Sequence, residues 1–213
     1  MVYPISKHII IPFVNLWIRK VSGKEHIPMK GPFIIAANHQ SYFDDLLVPS
    51  IVIPKVNCHI RFYANRHFFR KFIARAILKH GKAIPVASEG KDKKAINKDA
   101  FQQALQHISK GGIVGIFPEG GRSRDGNLQQ AKTGVATLAL TAQVPVLPVG
   151  IQDSYKILPK GSFFPRLTRC EVHIGKPLAF NKQLKASNKN EVAYATRQIM
   201  KAIARLAGQR YTH

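Results

Sequence analysis

Six short apolar runs alternate with stretches of helical spacing in this chain, and this alternation is what most restricts its fold. Helices are predicted at 44–50, 66–80, 93–110, 132–142 and 190–208. Strands are predicted at 33–37, 59–64, 83–86, 113–117, 146–151 and 169–174. Such an order favours an α/β fold, in which helices flank a mixed sheet. The 213 residues, 45% of them hydrophobic, suffice for the core of a single domain.

A histidine and an aspartate follow the first predicted strand, in the stretch NHQSYFD (38–44). His39 comes at the carboxyl end of that strand, where α/β sheets place reactive groups. If Asp44 begins the next helix, its carboxylate reaches one ring nitrogen and leaves the other free as a base. No serine or cysteine holds a comparable position, which indicates a nucleophilic hydroxyl brought by the substrate. The alternative is an ordinary hydrogen-bonded histidine beside a strand end.

A second loop follows the strand at 113–117 and reads FPEGGRS (117–123). Gly120 and Gly121 allow close backbone approach, and the Arg122 guanidinium offers a planar fork for a phosphate or carboxylate. The loop is therefore a candidate anion site. The alternative is a surface hairpin in which Arg122 and Arg124 are solvated.

These two loops, in this order, resemble those of the lysophospholipid and glycerophospholipid acyltransferase family, which 1-acyl-sn-glycerol-3-phosphate acyltransferases typify. The family is marked by a histidine and an aspartate with four residues between them and by a Phe-Pro-Glu-Gly loop. A third mark, a Val-Pro-Val-x-Pro-Val strand, corresponds to VPVLPV (144–149), so the resemblance covers about 32–151. It implies a glycerolipid acyltransferase fold over 31–213. The implied site consists of the catalytic pair His39 and Asp44 and the substrate-binding residues Phe117, Pro118, Glu119, Gly120 and Arg122.

The resemblance also implies a reaction. His39, held by Asp44, would take the proton of a lysolipid hydroxyl as that oxygen attacks the thioester of acyl-CoA or acyl carrier protein. The expected acceptor is 1-acyl-sn-glycerol-3-phosphate, giving phosphatidic acid; glycerol 3-phosphate or another lysolipid is the alternative. Backbone amides of the 117–123 loop or a nearby lysine are candidates for the oxyanion. No metal-ligand spacing is present, and neither a metal nor an organic cofactor is expected.

Two positions depart from the family pattern. Gly121 stands where the family loop usually has threonine, and Ser88 stands where the family commonly has an arginine that grips the acceptor phosphate. Arg122, Lys79 or Lys82 would then supply the charge, or the acceptor would carry a different head group.

The formal charge of +22 predicts an anionic partner. No helix-turn-helix pattern, zinc spacing or RNP-type motif is present, and the basic residues spread along the whole chain, so a membrane surface is favoured over nucleic acid. The basic and aromatic run at 66–75 is compatible with anionic lipid, an acidic acyl carrier, or a solvated helix with Phe68, Phe72 and Ile73 in the core. A non-catalytic basic protein that binds lipid or nucleic acid stays the alternative to an enzyme.

The first thirty residues are predicted to associate with a membrane. Residues 3–18 are mostly apolar and are flanked by Lys7, Arg19, Lys20 and Lys24, which is typical of an interfacial amphipathic segment. Pro12 and Lys7 interrupt a stretch too short to span a bilayer. A peripheral or monotopic protein on the cytoplasmic face of a membrane is therefore expected. The alternative is a helix that packs on the domain.

Overall fold

A seven-stranded mixed sheet lies at the centre of the computed structural model, which describes residues 10–56, 58–159, 162 and 164–213. The strands are β1 (Ile18–Ser22), β2 (Phe33–Ala37), β3 (Ile60–Asn65), β4 (Ile84–Val86), β5 (Ile113–Ile116), β6 (Val146–Gln152) and β7 (Cys170–Ile174). Their order is β1-β7-β6-β2-β5-β3-β4. The five strands from β6 to β4 are parallel, whereas β7 is antiparallel to β6 and parallel to β1. The sheet is thus mixed, as predicted.

Helices cover both faces of this sheet. They are α1 (Ile11–Asn15), α2 (Asp44–Val52), α3 (Phe72–His80), α4 (Lys93–Ser109), α5 (Gly134–Ala142), α6 (Ser154–Ile157) and α7 (Lys189–Leu206). Side chains alternate across β2, so Phe33 and Ile35 join one apolar cluster with α1 and α2, while Ile34 and Ala36 join another with α4, α5 and α7. Because both of its faces are covered, β2 is buried along its whole length. This burial fixes the position of the loop that follows it.

The predicted helix at 66–80 is interrupted. Residues 66–70 form a 3₁₀ turn, which begins where the Asn65 side chain accepts a hydrogen bond from the His67 N–H at 3.0 Å. Lys71 is extended (φ −89°, ψ 126°), and α3 starts after it. Neither glycine nor proline marks the break, so the sequence pattern alone did not indicate it.

Strand β1 was not predicted, and it lies in the range expected to associate with a membrane. It pairs with β7 from Ile18, opposite Cys170, to Ser22, opposite His173. Before it, α1 buries Ile11 and Val14 against the domain. The sheet therefore includes residues before position 31, and residues 10–22 pack on the domain as a short helix and a strand. Membrane association of the first thirty residues stays a prediction. Residues 1–9 lie outside the described residues, and none of the helices described is long and apolar enough to cross a bilayer.

The parallel strands all end at one side of the sheet, called here the carboxyl edge. The loops after β2, β5, β3, β4 and β6 emerge there. Because β7 runs antiparallel to β6 and β1 runs with β7, the segment before each of these two strands reaches the same edge. Ligand sites of α/β sheets form at such an edge.

Candidate active site

His39 and Asp44 form a hydrogen-bonded pair at the carboxyl edge. The distance from His39 Nδ1 to Asp44 Oδ2 is 3.0 Å, and the two side chains are 12% and 0% exposed. Since a carboxylate can only accept, the Nδ1–H donates and Nε2 carries the free lone pair. The pairing expected from the sequence spacing is therefore present in the structure.

Asp44 is held by its own loop as well as by the imidazole. Its Oδ2 also accepts the backbone N–H groups of Gln40 at 2.7 Å and Ser41 at 2.8 Å. Asp44 is the first residue of α2, and the partial positive charge of a helix N-terminus stabilises a carboxylate there. Its Oδ1 is buried and has no partner among the described residues. All three donors described for Asp44 therefore meet the same oxygen, Oδ2, which fixes the carboxylate against His39.

The electrostatic surroundings make His39 a stronger base than an ordinary histidine. Burial works against the charged imidazolium, but the hydrogen bond to Asp44 and the negative charges of Asp45 and Asp44 outweigh it. The Arg122 guanidinium opposes this effect weakly. The net result raises the pKa of His39 above its ordinary value of 6.5.

An aromatic stack fixes the plane of the imidazole. The rings of His39 and Phe117 lie nearly parallel, with centroids 4.0 Å apart and an interplanar angle of 15°. Phe62 lies behind Phe117 at a centroid distance of 5.9 Å. Gly115 makes room for Phe62, because a Cβ at that position would lie 2.3 Å from its ring. Phe117, which directly follows β5, therefore packs against the histidine that follows the neighbouring strand β2.

Glu119 joins the two predicted loops. It is buried, and its two carboxylate oxygens accept the backbone N–H groups of His39 and Gln129, each at 2.8 Å. Burial raises the pKa of Glu119 to about 7, although these two donors lower it. A backbone hydrogen bond also joins the two loops, since the Ser123 N–H donates to the His39 carbonyl at 2.7 Å. Glu119 thus positions the backbone that carries the histidine.

Arg122 and Lys132 place positive charge beside this junction. The Arg122 guanidinium lies 3.3 Å from the centre of the Tyr42 ring, a stacked cation–π geometry. Gly120 has φ of 67°, and a Cβ there would lie 2.6 Å from Lys132 Nζ. The positive φ favours glycine at this position, and the contact shows how close Lys132 comes to the loop. Lys132 was not singled out in the sequence, because nothing local links it to Gly120.

A second cluster of basic side chains lies further along the carboxyl edge. A cavity of about 430 Å³ is lined by residues of the 3₁₀ turn after β3, including Arg66, His67 and Arg70, and by Ser88 of the loop after β4. Asn65 Nδ2 donates to Ser88 Oγ at 2.9 Å, and a Cβ at Gly90 would lie 3.2 Å from an Arg66 nitrogen. Arg66 and Arg70, in the turn after β3, thus lie beside Ser88, the position at which the family commonly has an arginine. Sequence reasoning proposed Arg122, Lys79 or Lys82 instead.

Side-chain amides of asparagine and glutamine connect the loops of the site to other segments of the chain. Asn38 accepts the Ile151 N–H at 2.7 Å and donates to its carbonyl at 2.9 Å, which joins the end of β2 to β6. Gln40 and Gln209 both donate to the Gly126 carbonyl at 2.7 Å. The sequence analysis did not identify these residues, and their separations of 83 to 113 residues leave no local signal.

All seven predicted site residues lie at the carboxyl edge. His39 and Asp44 contact each other, Phe117 contacts His39, and Glu119 contacts its backbone. Arg122 is on the same loop and stacks on Tyr42, three residues after His39. The residues adjoining Glu119 are Pro118, whose carbonyl accepts the Lys132 N–H at 2.8 Å, and Gly120. The structure therefore brings the two loops together into one site.

The chain matches a known family and several proteins in it. Residues 18–152 match the family model described as Acyltransferase. The chain is 27% identical over 143 residues to a chloroplastic 1-acyl-sn-glycerol-3-phosphate acyltransferase of Brassica napus, an alignment that covers 67% of this chain and 39% of that protein. This chain thus spans only about two fifths of that relative. It is 26% identical to the 1-acyl-sn-glycerol-3-phosphate acyltransferase of Bacillus subtilis, with 75% of this chain and 73% of that protein covered.

The fold also matches a solved structure. The crystal structure of the 1-acyl-sn-glycerophosphate acyltransferase PlsC of Thermotoga maritima superposes with a TM-score of 0.69, covering 96% of this chain and 82% of that one. The identity is 24%, so this similarity establishes the fold alone. It confirms the predicted single α/β domain with a mixed sheet flanked by helices.

Proposed function

Because the chain belongs to the acyltransferase family, we propose that it moves a fatty acyl group from a thioester donor to the free hydroxyl of a lysophospholipid. The observation that carries this proposal is the His39–Asp44 pair, in which a buried carboxylate holds Nδ1 at 3.0 Å and leaves Nε2 as the base. Asp44 fixes the tautomer and stabilises the imidazolium that forms during transfer.

The proposed reaction is a direct transfer. His39 Nε2 takes the hydroxyl proton while the acceptor oxygen forms a bond to the thioester carbon. The tetrahedral intermediate then breaks its carbon–sulfur bond, and the imidazolium returns the proton to the leaving thiolate. Backbone N–H groups of the 117–123 loop or the Lys132 ammonium are proposed to hold the developing oxyanion, because both lie beside Gly120.

The proposed acceptor is 1-acyl-sn-glycerol-3-phosphate, which gives phosphatidic acid. Its support comes from the names of the relatives and from the positive charge at the carboxyl edge. We assign the phosphate to Arg122, on the loop next to His39. Arg66 and Arg70 stand beyond it, beside Ser88, and supply charge where the family arginine is replaced. Glu119 would contribute by holding the loop in place, since both of its oxygens accept backbone donors.

The donor is proposed to be acyl-CoA or acyl carrier protein, both of which are anionic and suit a chain of formal charge +22. The proposed location is the cytoplasmic face of a membrane, with peripheral or monotopic attachment. No metal or organic cofactor enters this mechanism.

The proposal is tested by transfer of a radiolabelled acyl group from acyl-CoA, and in parallel from acyl carrier protein, to a panel of acceptors. The panel contains lysophosphatidate, glycerol 3-phosphate and lysolipids with other head groups. Labelled phosphatidic acid is expected from lysophosphatidate. A folded protein that labels none of the acceptors in the presence of anionic lipid would instead support the non-catalytic binding protein.

Arg122→Ala is expected to raise the KM for lysophosphatidate by roughly 10- to 100-fold, the size of a lost charge-assisted hydrogen bond. Arg122→Lys keeps the charge and should give a smaller rise. Steady-state kinetics with varied acceptor measure both. Arg124→Ala is the matched control, since Arg124 is an exposed arginine on the same loop. An equal rise in KM for monoacylglycerol, which has no phosphate, would contradict the assignment.

A further inference from the structure

Large apolar side chains are exposed around the carboxyl edge. Phe72 is 89% exposed, Phe164 is 83% and Leu167 is 97%, although side chains of these types are usually buried in soluble domains. Phe13 and Leu16 of α1 are also more than half exposed. These five residues, Phe13, Leu16, Phe72, Phe164 and Leu167, are called here the rim residues.

One part of the rim lies on α3. None of the α3 side chains whose exposure is described is buried, so this helix stands on the surface. Phe72 is its first residue and follows directly on the 3₁₀ turn after β3. Within that turn, Phe68 meets the edge of Tyr42 at a centroid distance of 5.3 Å. Phe72 thus begins the helix that follows a turn in contact with the histidine loop.

The other part of the rim lies on the opposite side of His39. Leu158 accepts the Ser41 hydroxyl at 3.1 Å, which places the segment before β7 beside the histidine loop. Arg166 donates its N–H to the Ile157 carbonyl at 2.7 Å and accepts from Trp17 Nε1 at 2.8 Å. Leu167 follows Arg166, and Leu16 precedes Trp17. The exposed residues of α1 and of this segment therefore lie next to each other.

The surroundings of the rim residues carry a net positive charge. The ranges 10–20, 66–80 and 154–169, which carry all five rim residues, contain no aspartate or glutamate. Their exposed or partly exposed basic residues include Arg66, Arg70, Lys71, Arg75, Lys79, Lys156, Arg166 and Arg169. Two carboxylates adjoin these ranges, since Asp153 pairs with Lys156 at 2.8 Å and Glu171 pairs with Arg19 at 2.7 Å, and the other basic residues named leave a net positive charge. Apolar side chains with an excess of basic neighbours match the headgroup region of an anionic bilayer, where aromatic and leucine side chains enter and lysine and arginine meet phosphate.

We propose that the rim residues and their basic neighbours form one docking surface for an anionic lipid bilayer, with His39 between its two parts. The surface extends the proposed function, since a lysolipid acceptor has its head group at the bilayer surface and would reach His39 without leaving it. It keeps Phe13 and Leu16 from the range 1–30 that the sequence predicts to contact a membrane, and it adds exposed residues outside that range. The added residues are Phe72 of α3 on one side of the site, and Phe164 and Leu167 on the other.

The test is flotation of the full chain with vesicles of equimolar phosphatidylglycerol and phosphatidylcholine. The double variant Phe72→Ser with Leu167→Ser removes two highly exposed apolar side chains, so folding is preserved, and vesicle binding should fall by at least about tenfold. The matched control is Met29→Ser with Tyr194→Ser. These residues are 68% and 55% exposed, and both lie away from the carboxyl edge, before β2 and early in α7. The control should bind as the wild type does.

Three results would overturn the proposal: wild-type protein that stays off the vesicles, rim and control variants that lose binding equally, or equal binding to vesicles of phosphatidylcholine alone. Flotation requires no catalysis. Transfer to a short-chain lysophosphatidate dissolved below its micelle concentration requires no vesicle. A wild-type protein that floats but does not transfer therefore fails only the proposed function, and one that transfers but does not float fails only the docking surface.

Discussion

Replacing His39 by alanine is expected to lower acyl transfer by roughly 10²- to 10⁴-fold, the usual contribution of a positioned general base. In the proposed mechanism the acceptor hydroxyl is a poor nucleophile until His39 Nε2 takes its proton. The loss should appear in kcat, because the imidazole acts in the transition state and the Arg122 contact is kept. Radiolabelled transfer to lysophosphatidate at saturating acceptor measures it.

His26→Ala serves as the matched control for this variant. His26 lies in the 3₁₀ turn after β1, on the opposite side of the sheet from the carboxyl edge, and its Nδ1 lies 2.9 Å from the Ile174 carbonyl. Transfer should be kept in this variant. Chemical denaturation of both variants shows whether they are folded. A folded His39→Ala protein with the wild-type rate would remove His39 from the catalytic role.

Asp44→Asn is expected to have the second largest effect, a loss of roughly 10²- to 10⁴-fold in kcat. The amide oxygen can take the place of Oδ2 and accept the Gln40 and Ser41 N–H groups, while the amide nitrogen takes the place of Oδ1, which has no partner among the described residues. The shape of the pair would then be kept, and its charge would be lost. The imidazolium that forms during transfer would be stabilised less.

The pH dependence of this variant gives a second readout. A general base must be neutral, so the rate falls as pH drops through the pKa of His39. This fall forms the acid limb of the pH–rate profile. In the wild type its midpoint should lie above pH 6.5, because the Asp44 hydrogen bond and the charges of Asp45 and Asp44 raise the pKa of His39 by more than burial lowers it. Asp44→Asn removes the negative charge of the hydrogen-bonding partner, which weakens its stabilisation of the imidazolium, so the limb should move to lower pH. Measurement of kcat from pH 5 to 9 tests the direction.

The Asp45→Asn variant tests the effect of a nearby negative charge, as distinct from the carboxylate that hydrogen-bonds His39. Asp45 is the exposed neighbour of Asp44, and its charge also raises the pKa of His39. Its replacement should shift the acid limb in the same direction and leave kcat at high pH near the wild-type value. If Asp44→Asn behaved no differently from Asp45→Asn, a charged partner at Nδ1 would have no special role.

Local patterns were sufficient for much of this molecule. The predicted strands at 33–37 and 113–117 are apolar runs, and one of the two predicted loops begins directly at the end of each. Because parallel strands end at the same edge, the sequence could place His39 and Arg122 near each other without knowledge of the strand order. The spacing of His39 and Asp44 also needed no tertiary information, since both lie in one turn and the start of one helix.

Other features depend on which elements become neighbours. Strand β1 has mostly exposed or half-exposed side chains, so its sequence reads as the polar flank of an apolar segment. Arg66 comes close to Ser88 because β3 and β4 are adjacent in the sheet. Glu119 resembles a ligand-binding carboxylate in the sequence, yet its partners are the backbone N–H groups of residues 10 and 80 positions away. Such partners have no side-chain signature.

The stacking of His39 on Phe117 has a magnetic consequence. A proton above the face of a phenyl ring lies in the field of its circulating π electrons and resonates upfield of its usual position. With ring centroids 4.0 Å apart and planes 15° from parallel, the carbon-bound protons of this imidazole lie in that shielded region. The other described histidine–aromatic pairs, at His67 and His213, meet edge to face. Nuclear magnetic resonance can therefore distinguish His39 from His67 and His213 and follow its ionisation without any substrate.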